Sequence, residues 1–380
     1  MARRVPCPRR WYWRQYPVLF TPCTSTDRVA VDTLSKVEHL FVDRLVDEQE
    51  SVDRVACRTR QRRDSYHRLM TACRAQPVQS IRGELSSFWT DGRRVERLGY
   101  AAGALLIASG VIHIALLLGS GASWDGPLSL RKAITFGLSF GMTSIAIAWV
   151  TSFLQLRGRT RTMLLGAFTA ACVFETALVS LQVWRGVPSH FNLETTFDGL
   201  VARTLAAGGA TLVAVIGALT VAAFRADPRL PLSLRIAIRA GFVLLVCAMV
   251  VGGLMIAKGM LLVLAGDPQA AYTLGGTLRP THFAMMHGIL LLPGLAWLLS
   301  FADWTEARRV KLVLAAVFSY ALFAGTIAAG NLGGLDLLSF PIVTIAGLGA
   351  VGLLVTAIVV VRAVRDPVTS SRTHQSARAS

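Results

Sequence analysis

Residues 162–192 read TMLLGAFTAACVFETALVSLQVWRGVPSHFN: an apolar run holding one charged residue, Glu175, followed by a short polar loop with an arginine, a proline and a histidine. At 1.5 Å of rise per residue the run is long enough to cross a hydrocarbon core of roughly 30 Å, so it reads as a transmembrane helix. The pattern repeats. From residue 98 onward, apolar runs fall at about 98–118, 133–154, 162–184, 200–224, 236–265, 281–301, 310–330 and 341–362. The whole chain of 380 residues is 53% hydrophobic and 16% charged, with a mean hydropathy of +0.52, too apolar for a soluble domain of that size. The predicted fold is an all-α polytopic membrane protein with about eight transmembrane helices.

The loops set the expected orientation, because lysine and arginine accumulate on the cytoplasmic side. RGRTR (157–161), RADPRLPLSLRIAIR (225–239), EARRVK (306–311) and the pair Arg362 and Arg365 are rich in basic residues, whereas the alternate loops are poorer in them. Both termini are therefore expected in the cytoplasm of a bacterial inner-membrane protein, with RGVPSHFN outside. The formal net charge of +17 has the same origin. It calls for no nucleic-acid partner; the expected partners are the lipid bilayer and a small molecule or redox partner.

Three regions follow. Residues 1–97 carry 19 Lys/Arg against 12 Asp/Glu and no run able to cross a bilayer, and they lack the apolar core and cleavage site of a secretory signal. A helix is expected near 35–50 from the spacing of Leu34, Val37, Phe41 and Leu45. Otherwise this arm reads as largely disordered, or as preceding a true start such as Met70. Its last part, SSFWTDGRRVER (86–97), reads as a basic amphipathic lead-in at the inner membrane surface. Residues 98–365 form the membrane domain, and 366–380 a disordered cytoplasmic tail.

Ionisable residues inside a span are expensive, so each is a candidate for function. His113 lies about five residues from the outer end of the first span, Glu175 about nine from that of the third with Gln182 near its top, and Lys258 about seven from that of the fifth. The sixth span starts outside at LRPTHFAMMHG, with Pro280 at its first turn, His282 at the mouth and His287 further in. All fall within roughly 14 Å of the outer surface. Arg131, Lys132, Arg185, His190, Asp198 and Arg279 adjoin them in loops or helix ends, while the last two spans carry no charge at their centres and read as scaffold.

Three chemistries suit these residue types. Haem b takes two axial histidines from different helices, here His113 and His287, with Arg131, Arg185 or Arg279 on a propionate. Zinc hydrolysis takes His190, His282 and His287 as ligands, with Glu175 or Asp198 as ligand or general base. Transport or sensing uses Glu175, Gln182, Lys258 and the histidines to hold a solute or pass protons. Structural packing accounts for each residue taken singly. His282 and His287, five positions apart, stand about 140° apart around a helix and do not share the face that an i, i+4 metal pair occupies.

No HExxH, GxSxG or Walker loop occurs, and no CxxC joins any of the six cysteines. GLGAVG (347–352) sits inside an apolar run without a preceding strand, which rules out dinucleotide binding there. FGLSFG (136–141) places Gly137 and Gly141 four apart, a signal for close helix packing.

The blocks LRKAITFGLSF, ETALVSLQVWRGVPSHFN and PTHFAMMHGILLLP resemble those of a family of uncharacterised bacterial multi-pass membrane proteins, over residues 98–305. The resemblance implies a membrane domain whose shared RG..SHFN and THF..MH blocks form its site. It implies no particular reaction.

Overall fold

A computed structural model describes residues 77–124, 126, 128–225 and 230–365 of the chain. The expected helix near 35–50, the rest of the arm to residue 76 and the tail from 366 lie outside the described residues. Within them there is no strand. Ten helices follow in order: α1 (Pro77–Thr90), α2 (Arg94–Ser120), α3 (Arg131–Ser152), α4 (Gly158–Trp184), α5 (Thr196–Phe224), α6 (Leu232–Leu264), α7 (Pro268–Met286), α8 (Gly288–Leu299), α9 (Glu306–Leu332) and α10 (Phe340–Arg365). Eight segments are long and apolar enough to cross a membrane: α2 to α6, the α7–α8 stretch Leu278–Leu299, α9 and α10. Large apolar side chains such as Leu105, Ile112, Phe174, Leu261, Phe318 and Leu348 face outward. In a bundle whose backbone bonds are satisfied inside each helix, that surface is the one lipid covers. The chain is a multi-pass membrane protein.

Helices consecutive in sequence are neighbours in space, the short-connection topology expected of such bundles. α2 packs on α3 and α4, α4 on α5, α6 on α7 and α8, and α9 on α7 and α10. The α2–α3 crossing is close because it is built from glycine. A Cβ on Gly141 would lie 2.7 Å from Gly103 O, and one on Gly137 2.8 Å from Gly110 N, so the two backbones touch at FGLSFG. A continuous core centred on Phe242, Leu245, Ile289, Leu292 and Leu299 joins α6 to α8.

We call the end of the bundle carrying residues 185–195 the loop end and the end carrying Arg157–Arg161 the arginine end. At the arginine end one device recurs: an arginine early in a helix donates to the last carbonyls of the helix before it. Arg161 bonds Thr151 O in the last turn of α3 and Leu154 O just beyond it, Arg239 bonds Ala223 O and Phe224 O closing α5, and Arg309 bonds Ser300 O and Ala302 O beyond α8. Carbonyls of a closing turn have no partner in their own helix and carry the negative end of its dipole, so a guanidinium fork satisfies both.

The stretch 86–97, expected as one lead-in, divides between α1, a turn at Asp91–Arg93 and the start of α2. α1 seats Ile81 against the core and Phe88 against the Trp149 and Trp297 rings, at 6.1 and 5.9 Å between centroids. Glu96 starts α2 by accepting from Arg93 N at 2.9 Å.

The sixth span differs from expectation. Pro280 lies inside α7, and most of the segment expected as a loop before it is helical. The start signal is Asp267–Pro268: the Asp267 carboxylate accepts from Ala270 N at 2.9 Å, and proline takes the first helical position, where an N–H is not needed. The helix then breaks at His287. The carbonyls of Phe283 and Ala284, just before the break, accept from His287 Nδ1 at 2.8 Å and from the Tyr320 hydroxyl of α9 at 2.6 Å.

Candidate functional site

The RGVPSHFN loop is a closure. Gly186, with φ of 67°, turns the chain off α4, and Phe191 adopts the left-handed region with φ of 65°. A non-glycine residue there is strained, and packing holds it: the Phe191 ring fills the notch left by Gly259 on α6, where any Cβ would collide with it. Ser189 and Asn192 are fully buried on either side.

Asp198 is the hub of this end. One carboxylate oxygen accepts from Gln182 Nε2 at 2.9 Å and from Arg185; the other accepts from Thr195 Oγ1 at 2.6 Å, and Thr195 Oγ1 in turn accepts from Asp198 N. Arg185 also donates to Gln182 Oε1 and lies 4.7 Å over the Phe197 ring. With both oxygens engaged, Asp198 fastens the end of α4 to the start of α5 and is poorly placed as a general base. Arg185 belongs to the same knot.

His190 bonds the Ser189 hydroxyl through Nδ1 at 2.9 Å, with its ring beside Phe136 and Phe191. Burial, and next the nearby Lys132 charge, push its pKa down to about 4, so the ring is neutral at physiological pH. Lys132 itself lies near Arg131 and Arg279.

The other histidines separate. His113 donates Nδ1–H to Ser109 O at 2.8 Å and accepts at Nε2 from Trp184 Nε1 at 3.0 Å, in the groove between α2 and α4. His282 donates Nδ1–H to Ala248 O of α6 at 2.7 Å, and His287 donates to Phe283 O in its own helix. A carbonyl can only accept, which assigns the Nδ1–H tautomer in all three. His287 Nε2 is buried without a partner. Lys258 is exposed on the outer surface of α6, clear of the other candidate residues.

These positions bear on the two cofactor readings. For a haem ligated by His113 and His287, His113 Nε2 already accepts from Trp184 Nε1, and the two histidines lie on helices that pack on different neighbours, α2 on α3 and α4 and α7 on α6 and α9. Zinc on His190, His282 and His287 does not fit, since no three His, Cys, Asp or Glu side chains among the described residues converge on one point.

Glu175 stands alone. It is 5% exposed in the middle of the α4–α5 interface, and its carboxyl lies against the Gly208–Gly209 backbone, where a side chain on Gly208 would collide with it. Glu175 Oε1 has no hydrogen-bond partner. One turn toward the arginine end lies Cys172, fully buried beside Ser144 of α3; two turns the other way, on the same face, lies Gln182.

Sequence reasoning missed two features. Glu96 and Arg161, each 3% exposed, form an ion pair with Arg161 NH1 3.2 Å from Glu96 Oε1, and Arg93 donates to the same oxygen at 2.9 Å. Arg161 reads as a loop charge in the sequence; its place four residues into a helix is the signal that it turns inward. α9, expected as scaffold, supplies the Tyr320 hydroxyl and Asn331 Oδ1, which accepts from Thr281 at 2.6 Å. A tyrosine and an asparagine facing a neighbouring span were the available signal.

Comparison of the chain with protein-family models, with curated proteins and with solved structures returns no match. The family resemblance stands on its three sequence blocks alone.

Proposed function

We propose that the chain is a proton-linked solute transporter of a bacterial cytoplasmic membrane, with both termini inside and the loop end outside, in which Glu175 is the proton-binding group. The observation that carries this reading is the unpartnered Oε1 of Glu175. Three carboxyl side chains are buried among the described residues, and two of them, Glu96 and Asp198, are tied to arginines and further donors. Those two are structural. The third has neither a cation nor a second donor on Oε1, in a span where an unpaired carboxyl has a large energetic cost. A carboxyl with no partner in the low-dielectric interior of a bundle is a proton-binding group. Gln182 and the closing loop sit on the solute side of it.

The expected result is seen in proteoliposomes with a trapped pH indicator and a clamped membrane potential, offered panels of amino acids, sugars and organic anions. At least one panel drives proton uptake by the parent protein, and none does so in Glu175→Gln. Equal uptake by the two proteins contradicts the reading.

Orientation rests on the arginine distribution. A membrane-impermeant maleimide applied to intact cells is expected to label a cysteine placed at Glu194 and not one at Thr160, both of which are exposed. Labelling at 160 alone reverses the orientation.

A further inference from the structure

Three polar groups at the α3–α4 interface, Ser144 Oγ, Thr151 Oγ1 and Arg161 Nε, are buried without a hydrogen-bond partner, and Glu175 Oε1, likewise unpartnered, lies one turn beyond the Cys172 thiol on the side of α4 that faces α5. They form a file. Ser144 and Thr151 lie seven residues apart on one face of α3, about 10 Å along the axis. On α4 the buried stripe runs through Arg161, Leu165, Phe168, Cys172 and Glu175. Cross-links between the helices set the register. Ser144 Oγ meets the Cys172 thiol, too weak a partner to satisfy it, and Arg161 donates to Thr151 O. Between these levels Gly99 of α2 packs closely on Ala148, beside the Ser144 carbonyl and the Thr169 hydroxyl.

Buried polar atoms in native proteins are nearly always paired, either with protein groups or with ordered water. Water is the partner that suits a row of hydroxyls between helices, because each molecule bridges two to four polar groups. Toward the loop end Asn192 Nδ2 and Ser180 Oγ are also unpartnered, but the charged groups there are not. Gln182, Asp198, Arg185 and Thr195 satisfy one another, and Phe191 closes on Gly259.

We infer that water between α3 and α4 carries protons between Glu175 and the arginine end of the bundle along Ser144 and Thr151, while the Gln182–Asp198–Arg185 knot seals the loop end. This rests on the reading of Glu175 as the proton-binding group. The charged groups facing the path are Glu96, Arg93 and Arg161 at its mouth; α5 presents only the Gly208–Gly209 backbone to Glu175, and α4 adds the Cys172 thiol. A proton taken from water at the arginine end bonds to the Glu175 carboxylate, and the reverse step returns it to water. No oxidant, reductant or further reactant is required.

The test is the rate at which the Glu175 carboxyl exchanges its proton for deuterium, followed in the infrared on the intact purified protein after a switch to D2O. The Glu175 band is the protonated-carboxyl band missing in Glu175→Gln. The double variant Ser144→Ala/Thr151→Val is expected to slow the exchange by about a hundredfold, the scale on which a positioned proton-transfer group acts. Thr151→Ser, which keeps the hydroxyl, retains the parent rate. Ser180→Ala also retains it, since Ser180 stands five residues from Glu175 and about 140° round the helix. Parent-like exchange in the double variant, or equal slowing by Ser180→Ala, overturns the path and leaves the role of Glu175 standing. Absence of any band specific to Glu175 defeats both.

Discussion

Arg161→Met lowers the stability of the purified protein by ~3–5 kcal/mol, the cost of leaving a buried charge without its partner. Glu96 and Arg161 are each 3% exposed, and the guanidinium also holds Thr151 O in the last turn of α3 and Leu154 O just beyond it. The methionine side chain fills comparable volume but strands the Glu96 carboxylate and two carbonyls at once. Arg93, more than half exposed, remains as a weaker partner for Glu96. Arg161→Lys recovers only part of the loss, because an ammonium is a compact charge and lacks the planar fork that reaches Glu96 and both carbonyls. Adding Glu96→Gln to Arg161→Met restores part of the stability, since no buried charge is then unpaired although the two carbonyls still lack their donor; the two changes couple strongly in a double-mutant cycle. Thermal or denaturant unfolding in detergent measures the parent, Arg161→Met, Arg161→Lys, Glu96→Gln and the double variant. An Arg161→Met protein within ~0.5 kcal/mol of the parent, the range of an ordinary surface substitution, contradicts this role.

Arg161 also marks what the sequence makes legible. Eight apolar runs, their lengths and the alternation of basic loops follow from hydropathy and charge alone, and the helices occupy those runs. Azimuth is another matter. A rise of 1.5 Å per residue gives the height of a side chain, but each residue also turns the helix by about 100°, and which neighbour it meets depends on packing. Height alone therefore groups His113, Glu175, Lys258, His282 and His287, whereas His113, Glu175 and His282 meet three different pairs of helices, His287 bonds its own helix and Lys258 faces outward. The adjacent Gly259 faces Phe191 across the α6 notch, and one residue's turn directs Lys258 to the outer surface. Pro280 fails as a start signal for a similar reason: a proline is compatible with a helix start but does not require one, and Asp267 with Pro268 twelve residues earlier makes the stronger cap. The loop's Gly186 is readable as a turn, whereas the positive φ of Phe191 is not, because it exists only through the notch that receives its ring.

Glu175→Gln has the second large effect, and it falls on proton binding rather than on folding. The amide matches the carboxyl in shape, and Oε1 has no hydrogen bond to lose, so the bundle keeps its stability within the range of ordinary substitutions. Glu96→Gln behaves in the opposite way, removing a carboxylate that Arg161 and Arg93 both need. The contrast separates a carboxyl that holds the fold from one that holds a proton. The decisive measurement is an infrared difference titration of the purified protein in lipid, recorded across pH in H2O and repeated in D2O. The account predicts a protonated-carboxyl band that titrates, shifts in D2O, and is missing in Glu175→Gln alone; parent and variant spectra that superimpose throughout would contradict it.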